Sequence, residues 1–186
     1  MSVEEIISCM TKNMAHALAF RECLVACKEE RPYREVEAEL EASKAMTSCT
    51  QTPHTLIGLL VEHGAIEKIV VEEEPHQGDQ PVDYMLRTTE QGAQAAERLD
   101  PAVQLGKLVE RQPEEIACLY RKVLEACGEG AKLDDVKRAI GASVMLPEGK
   151  MVYAEYFVSK LETAGGLMWD GAWRTTEAGF LFARPS

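Results

Sequence analysis

Residues 20–40, FRECLVACKEERPYREVEAEL, align without gaps on residues 120–140, YRKVLEACGEGAKLDDVKRAI, and this repeat constrains the fold more than any other feature. Arg21/Arg121, Leu24/Leu124, Ala26/Ala126, Cys27/Cys127, Glu29/Glu129 and Val36/Val136 are identical, while Phe20/Tyr120 and Leu40/Ile140 keep their character. Two more blocks follow in the same order. LVEHGAI (60–66) matches LETAGGL (161–167), and LRTTEQG (86–92) matches WRTTEAG (173–179) with five residues shared. Order kept across three blocks points to duplication. The 186-residue chain then holds two units of roughly 90 residues, a size at which many domains fold alone. They are 1–100, with an additional N-terminal helix, and 101–186.

Each block has a local reason. Phe20, Cys23, Leu24 and Cys27 recur at helical spacing, and Tyr120, Val123, Leu124 and Cys127 repeat it. A shorter amphipathic helix follows on Val36 and Leu40, or Val136 and Ile140. Thr52 and Pro53 announce a third helix as cap and first position, running through Leu56, Ile57, Leu59 and Leu60 to a stop at Gly64. In the second unit Tyr156, Phe157 and Leu161 give the same face, and Gly165 takes the stop. The period then changes to that of strands. Leu167–Trp169 and Ala172–Arg174 read as a hairpin around Asp170-Gly171, a type I′ turn pair. The corresponding strands of the first unit are AIEKIVVEEE and VDYMLRT, joined by the longer tip PHQGDQP. Thr88 or Thr89, and Thr175 or Thr176, cap the next helix, in which Gly92 and Gly179 allow close packing.

Between the units, Asp100-Pro101 opens a helical linker, AVQLGKLVERQ, and the boundary is expected near 100–112. Val3, Ile7, Met10, Met14 and Ala17 follow the spacing of a helix seam. Residues 3–24 therefore offer a homodimer face, with packing inside the chain as the plainer alternative.

The amino terminus is acidic and has no apolar leader, and no stretch reaches the roughly 20 apolar residues of a membrane helix. A cytoplasmic protein without membrane association is expected. The six cysteines, at 9, 23, 27, 49, 118 and 127, show no disulfide framework and are expected as free thiols. Cys23 and Cys27 stand one helical turn apart with His16 two turns earlier, a conceivable thiolate metal site, but no second pair completes a shell. Buried structural thiols are the stronger reading. His16, His54, His63 and His76 lie apart from any nucleophile phrase, His63 sitting where it can cover helix-end carbonyls. G-x-S-x-G, HExxH and a phosphate loop are missing. No enzyme and no cofactor is expected. Met10, Met14, Met46 and Trp173 are open either as pocket lining or as plain core.

Three helices, a hairpin and a capped fourth helix with an aliphatic-x-Thr-x-x-Gly phrase resemble the winged helix-turn-helix family of bacterial MarR-type and PadR-type regulators. The phrase here is Leu86-Arg87-Thr88-Thr89-Glu90-Gln91-Gly92. The resemblance implies an α+β, mainly helical fold of two tandem winged-helix units, each with three or more helices and a β-hairpin wing. It also implies a transcriptional regulator that binds double-stranded DNA, the third helix in the major groove and the wing on the adjacent backbone.

Charge resists that implication. The net charge is −11, with nine basic against nineteen acidic residues in the first hundred positions and eleven against twelve in the remainder. The third helix of the first unit contains no Lys or Arg, and its wing carries Glu72, Glu73, Glu74 and Asp79, which repel phosphate. The second unit is the better-suited reader, with Lys150 and Lys160 on or beside its third helix, Tyr153 and Ser159 as polar contacts, and Arg174 in the wing. Arg87, His54 and Thr55 are the corresponding contacts in the first, although Arg87 and Arg174 equally suit pairing with a local carboxylate, the commoner fate of a surface arginine. The alternative is a protein-interaction or scaffolding module that docks on a basic partner. The family resemblance puts the regulator marginally ahead, because a dimer can assemble a basic surface that counting within one chain misses.

Overall fold

The computed structural model describes residues 2–70, 84–110 and 112–184. Its architecture is α+β and mainly helical, with small antiparallel sheets. The chain divides into two compact units, Met1–Leu99 and Asp100–Ser186.

The first unit runs α1 (Val3–Thr11), α2 (Met14–Ala26), β1 (Arg31–Pro32), α3 (Tyr33–Glu41), a 3-10 turn at Lys44–Ser48, α4 (Pro53–Glu62), β2 (Ile66–Val70), β3 (Tyr84–Thr88) and α5 (Glu90–Arg98). The expected seam from Val3 to Ala17 is not one helix. It breaks at Lys12 and Asn13, and α1 packs on both α2 and α5. Val3, Ile6 and Met10 are thereby buried in the core with Phe20, Leu24, Val36 and Leu56. The Arg98 guanidinium ties α5 back to Glu4 at 2.8 Å. Of the expected seam, Val3, Met10 and Ala17 are buried and Ile7 is half-buried against the core of its own unit, while the Met14 side chain lies outside the described residues. Thr52 caps α4 through the Thr55 N–H, with Pro53 in the first turn. The three strands order as β1-β3-β2, all antiparallel. The wing tip PHQGDQP, with Glu72, Glu73, Glu74, His76 and Asp79, lies outside the described residues.

The second unit runs α6 (Pro101–Val109), α7 (Glu114–Ala126), α8 (Leu133–Ile140), β4 (Ser143–Met145), β5 (Met151–Tyr153), α9 (Ala154–Thr163), β6 (Leu167–Trp169), β7 (Trp173–Thr175) and α10 (Glu177–Ala183). The segment expected as a linker is α6, a member of this unit. Asp100 caps it through the Ala102 N–H, and Leu105 is fully buried in a core with Tyr120, Leu124, Phe157 and Leu161. The helix packs on α10, as α1 does on α5 in the first unit. Burial of one leucine beneath the closing helix is what makes it part of the fold.

A single hydrogen-bond pattern, built on the Thr-Thr-x-x-Gly phrase, recurs in both units. The Thr88 N–H donates to the Cys27 carbonyl at 2.7 Å and the Thr175 N–H to that of Cys127 at 3.1 Å. The hydroxyls of Thr88 and Thr175 reach the carbonyls of Leu24 at 2.6 Å and Leu124 at 2.5 Å. Each strand end is thereby fastened to the unsatisfied end of α2 or α7. The second threonine caps the following helix: Thr89 and Thr176 accept the N–H of Gly92 and Gly179, both at 3.1 Å. Their hydroxyls also donate to Gly64 at 2.8 Å and Gly165 at 2.7 Å, the left-handed residues that end α4 and α9. The choice of threonine left open by the sequence is settled by this division of labour.

The glycines of the phrase have no room for a side chain. A Cβ at Gly92 would stand 2.1 Å from the Ala65 carbonyl oxygen, and one at Gly179 2.4 Å from that of Gly166.

Elsewhere the copies diverge. Arg31 pairs with Leu86 within β1, whereas its counterpart Ala131 makes only an isolated bridge to Trp173. The β6–β7 hairpin turns through 170–172, and among those residues only Gly171 has a positive φ, +66°. A type I′ turn needs two such residues, so the expected two-residue turn is replaced by a three-residue loop. Where the first unit has its 3-10 turn, the second inserts the β4–β5 hairpin, which the sequence reading missed.

Gly92→Ala and Gly179→Ala are expected to lower stability by about 2–3 kcal/mol each, because a backbone carbonyl must move. Gly58→Ala, on α4 with open space at its Cβ, is expected to raise it by roughly 0.5–1 kcal/mol. Urea denaturation of the three variants checks both signs.

Candidate functional site

The side chains expected to read DNA fall in five local settings: β3, β7, α4, the β4–β5 hairpin and α9. Arg87 on β3 faces Glu67 across the strand pair, and the two form an ion pair at 2.8 Å. At the equivalent place in the second unit Arg174 faces Met168 instead. Its guanidinium turns to the Glu129 carbonyl at 3.0 Å and to Asp170 at 3.8 Å. Both of these strand arginines are therefore engaged by their own unit. These pairs are exposed, so they contribute little to stability, but they neutralise the charge that a phosphate would need.

On α4, His54 is exposed and Thr55 half-buried. The Tyr33 hydroxyl lies 2.7 Å from His54 Nδ1 and 2.6 Å from Glu37 Oε1. A phenol has one proton to give, so donation to the Glu37 carboxylate leaves His54 Nδ1 as the donor to Tyr33. Burial, followed by the hydrogen bond to Glu37, pushes the Tyr33 phenol well above its usual range. Tyr84 packs on the same ring at 4.9 Å, and Lys68 sits over Tyr84 at 3.8 Å. Thr55 is committed to the cap, its hydroxyl 3.0 Å from that of Thr52. The described face of α4 in the first unit thus offers side chains already engaged in hydrogen bonds, and no Lys or Arg.

In the second unit the expected residues fall on two elements. Lys150 is not on the third helix: it lies in the turn of the β4–β5 hairpin, where Pro147, Glu148 and Gly149 reverse the chain and Gly149 takes φ +81°. That Pro-Glu-Gly run is the signal from which the hairpin was legible. Tyr153, 61% exposed, ends β5 and precedes α9. Ser159 and Lys160 are exposed on α9, Lys160 lying 5.7 Å from the Tyr156 ring. Beside them α9 also exposes Glu155 and Glu162, and Glu155 takes Lys137 of α8 at 3.5 Å. Lys132, which the sequence reading passed over, lies 5.0 Å from Trp169 and donates to the Gly171 carbonyl. Three of the second unit's cations near this helix and wing are held by their own neighbours, and Lys150 and Lys160 have no ion pair among the described residues.

The cysteines take no part in a cluster. None forms a disulfide, and no group of three metal-ligating side chains is found among the described residues. His16 Nε2 lies 2.9 Å from Thr50 Oγ1 and so is turned to a hydroxyl. The hydrogen bond that the Cys23 thiol gives to Cys27, together with burial, raises the Cys23 thiol well above its usual range, and burial pushes that of Cys127 to about 11. Met10 is buried in the core of the first unit and Met46 packs against it, Trp173 packs on the core of the second, and the Met14 side chain lies outside the described residues. An open groove is lined by Glu5, Ser8, Cys9, Thr11, Lys12 and His63; His63 caps α4, and its buried Nδ1 has no hydrogen-bond partner among the described residues. No helix among the described residues is long and apolar enough to cross a membrane. No family model, curated protein or solved structure matches the chain.

Two measurements follow from the thiols. Alkylation at pH 8 followed by mass spectrometry is expected to modify the half-buried Cys9, Cys49 and Cys118 first, with Cys23, Cys27 and Cys127 reacting only on unfolding. Because Cys127 holds its proton more tightly when folded, stability is expected to fall as pH rises from about 9 towards 11. Denaturation midpoints across that range should lose part of this slope in Cys127→Ala.

Proposed function

We propose that both units are winged-helix units and that the chain is a non-enzymatic docking module for a basic protein surface. The order of helices, hairpin and capped closing helix in each unit supports the winged-helix assignment. The observation that carries the docking reading is the placement of charge. The first unit exposes Glu35, Glu39 and Glu41 along α3, with Arg31 committed to two of them, and Arg87 committed to Glu67. In the second unit the wing arginine and Lys137 are likewise engaged locally. DNA affinity rests largely on cations aimed at phosphates, and this distribution favours the opposite partner.

A second reading has one observation in its favour. Lys150, Tyr153, Ser159 and Lys160 are exposed around β5 and α9, as a DNA-reading second unit requires.

Fluorescence anisotropy separates the two. Duplex DNA fragments, including the gene's own upstream region, are expected to show no saturable binding even at low salt. Poly-L-lysine is expected to bind with a steep salt dependence, weakened a few-fold by Glu41→Lys or Glu62→Lys. Sequence-preferring DNA binding would overturn the docking reading. In that case Lys150→Ala and Lys160→Ala should each lower the salt slope by about 0.9 for every phosphate the removed ammonium had neutralised.

A further inference from the structure

The closing helices of the two units fill the same place and present different outer faces. The match of LRTTEQG to WRTTEAG continues without a gap through α5 and α10, setting Glu90 on Glu177, Ala93 on Phe180, Gln94 on Leu181 and Glu97 on Arg184. Inward the helices are alike. Gly92 and Gly179 are buried, and Ala178, Phe182 and Ala183 pack on one core as Ala95 and Ala96 do in the other. Outward, α5 shows two glutamates, Gln94 and the half-buried Ala93, whereas α10 shows Phe180 at 44% exposure and Leu181 at 63%.

The spacing of a helix gathers Glu177, Phe180, Leu181 and Arg184 within about a third of its circumference. All four are exposed. The face therefore carries a carboxylate at its start, two large apolar groups in its middle and a guanidinium at its end. Neither Glu177 nor Arg184 has an ion pair among the described residues.

The order of charges along this face decides what fits it. Turned about a two-fold axis between Phe180 and Leu181, the face meets itself. Phe180 then opposes Leu181 of the second copy, and Glu177 opposes its Arg184 at both ends. A partner of one sign matches only one end. Residues 101–186 carry eleven basic and twelve acidic side chains, so two copies of this unit approach without strong repulsion.

We infer that α10 pairs antiparallel with α10 of a second copy of this chain, forming an isologous dimer. The face is not the one expected at residues 3–24, where Val3, Met10 and Ala17 are buried. It is independent of the docking reading, which rests on the charges of α3 and β3. A face on one short helix falls below the roughly 1,200 Å² of a standard interface, so the dimer is weak, with a dissociation constant on the order of 100 µM.

Sedimentation of the full chain tests this from about 1 µM to about 1 mM, at physiological ionic strength, where a screening length of about 8 Å mutes the net charge. A monomer–dimer equilibrium is expected. Leu181→Gln gives α10 the side chain that α5 has at Gln94, and should weaken the dimer about tenfold with urea unfolding unchanged. Glu177→Arg and Arg184→Glu should each weaken it several-fold, because like charges then meet at both ends. Mixed in equal amounts, these two variants should associate at least as tightly as the natural chain, since every end then faces its opposite. Recovery on mixing cannot come from folding, because neither chain has changed. The inference is overturned by a monomer throughout, by a dimer indifferent to Leu181→Gln, or by charge variants that do not recover on mixing.

Discussion

The hydrogen bonds of the Thr-Thr-x-x-Gly phrase are the constraint on which the rest of each unit depends. One threonine fastens the last strand to the carbonyls that end the long central helix. The next caps the closing helix and holds the glycine turn after the preceding one. Four elements therefore meet at two adjacent residues. These are backbone groups that burial would otherwise leave unsatisfied, and a buried carbonyl without a donor costs about as much as a lost hydrogen bond. The glycine three positions on completes the arrangement, since any Cβ there would stand against a carbonyl oxygen.

With that junction fixed, the two copies are free to differ at the surface. The cross-strand partner of the wing arginine is Glu67 in one and Met168 in the other. The segment before the third helix is a 3-10 turn in one and a hairpin in the other. The helix preceding the central one presents glutamates in the first unit, whereas its counterpart exposes Val103 in the second. The same interior thus supports an acidic surface in one copy and a nearly neutral, more apolar one in the other. Such a division suits two different contacts better than one contact made twice.

Most of the scaffold was legible from residues 20–40 and 120–140 and from the two repeats of RTTExG. Helical spacing, a Thr-Pro start and glycine stops are local signals, and local hydrogen bonding makes them decisive. The hairpin was missed because SVM and MVY are too short to show a period, although Pro147, Glu148 and Gly149 mark the turn between them. The helix at Pro101–Val109 was read as a linker because its membership depends on Leu105 meeting residues far along the chain. The site residues were named as exposed groups, and most are exposed. Pairing of Arg87 and Arg174 with a local carboxylate was an open alternative from the sequence, but the partner was not legible, since Arg87 meets Glu67 only when two strands pair in one register.

By itself the sequence determined the repeat, the three helices, closing hairpin and capped last helix shared by the copies, and the strong acidity of the first. These follow from periodicity, turn chemistry and counting, all of which act over a few residues or none. The tertiary structure decided which threonine caps and which ties, that α1 is separated from α2, and which cations remain without an ion pair. The ties of Thr88 and Thr175 and the Arg87–Glu67 pair each depend on atoms brought within about 3 Å by residues 20 or more positions apart, a distance at which a hydrogen bond or ion pair forms.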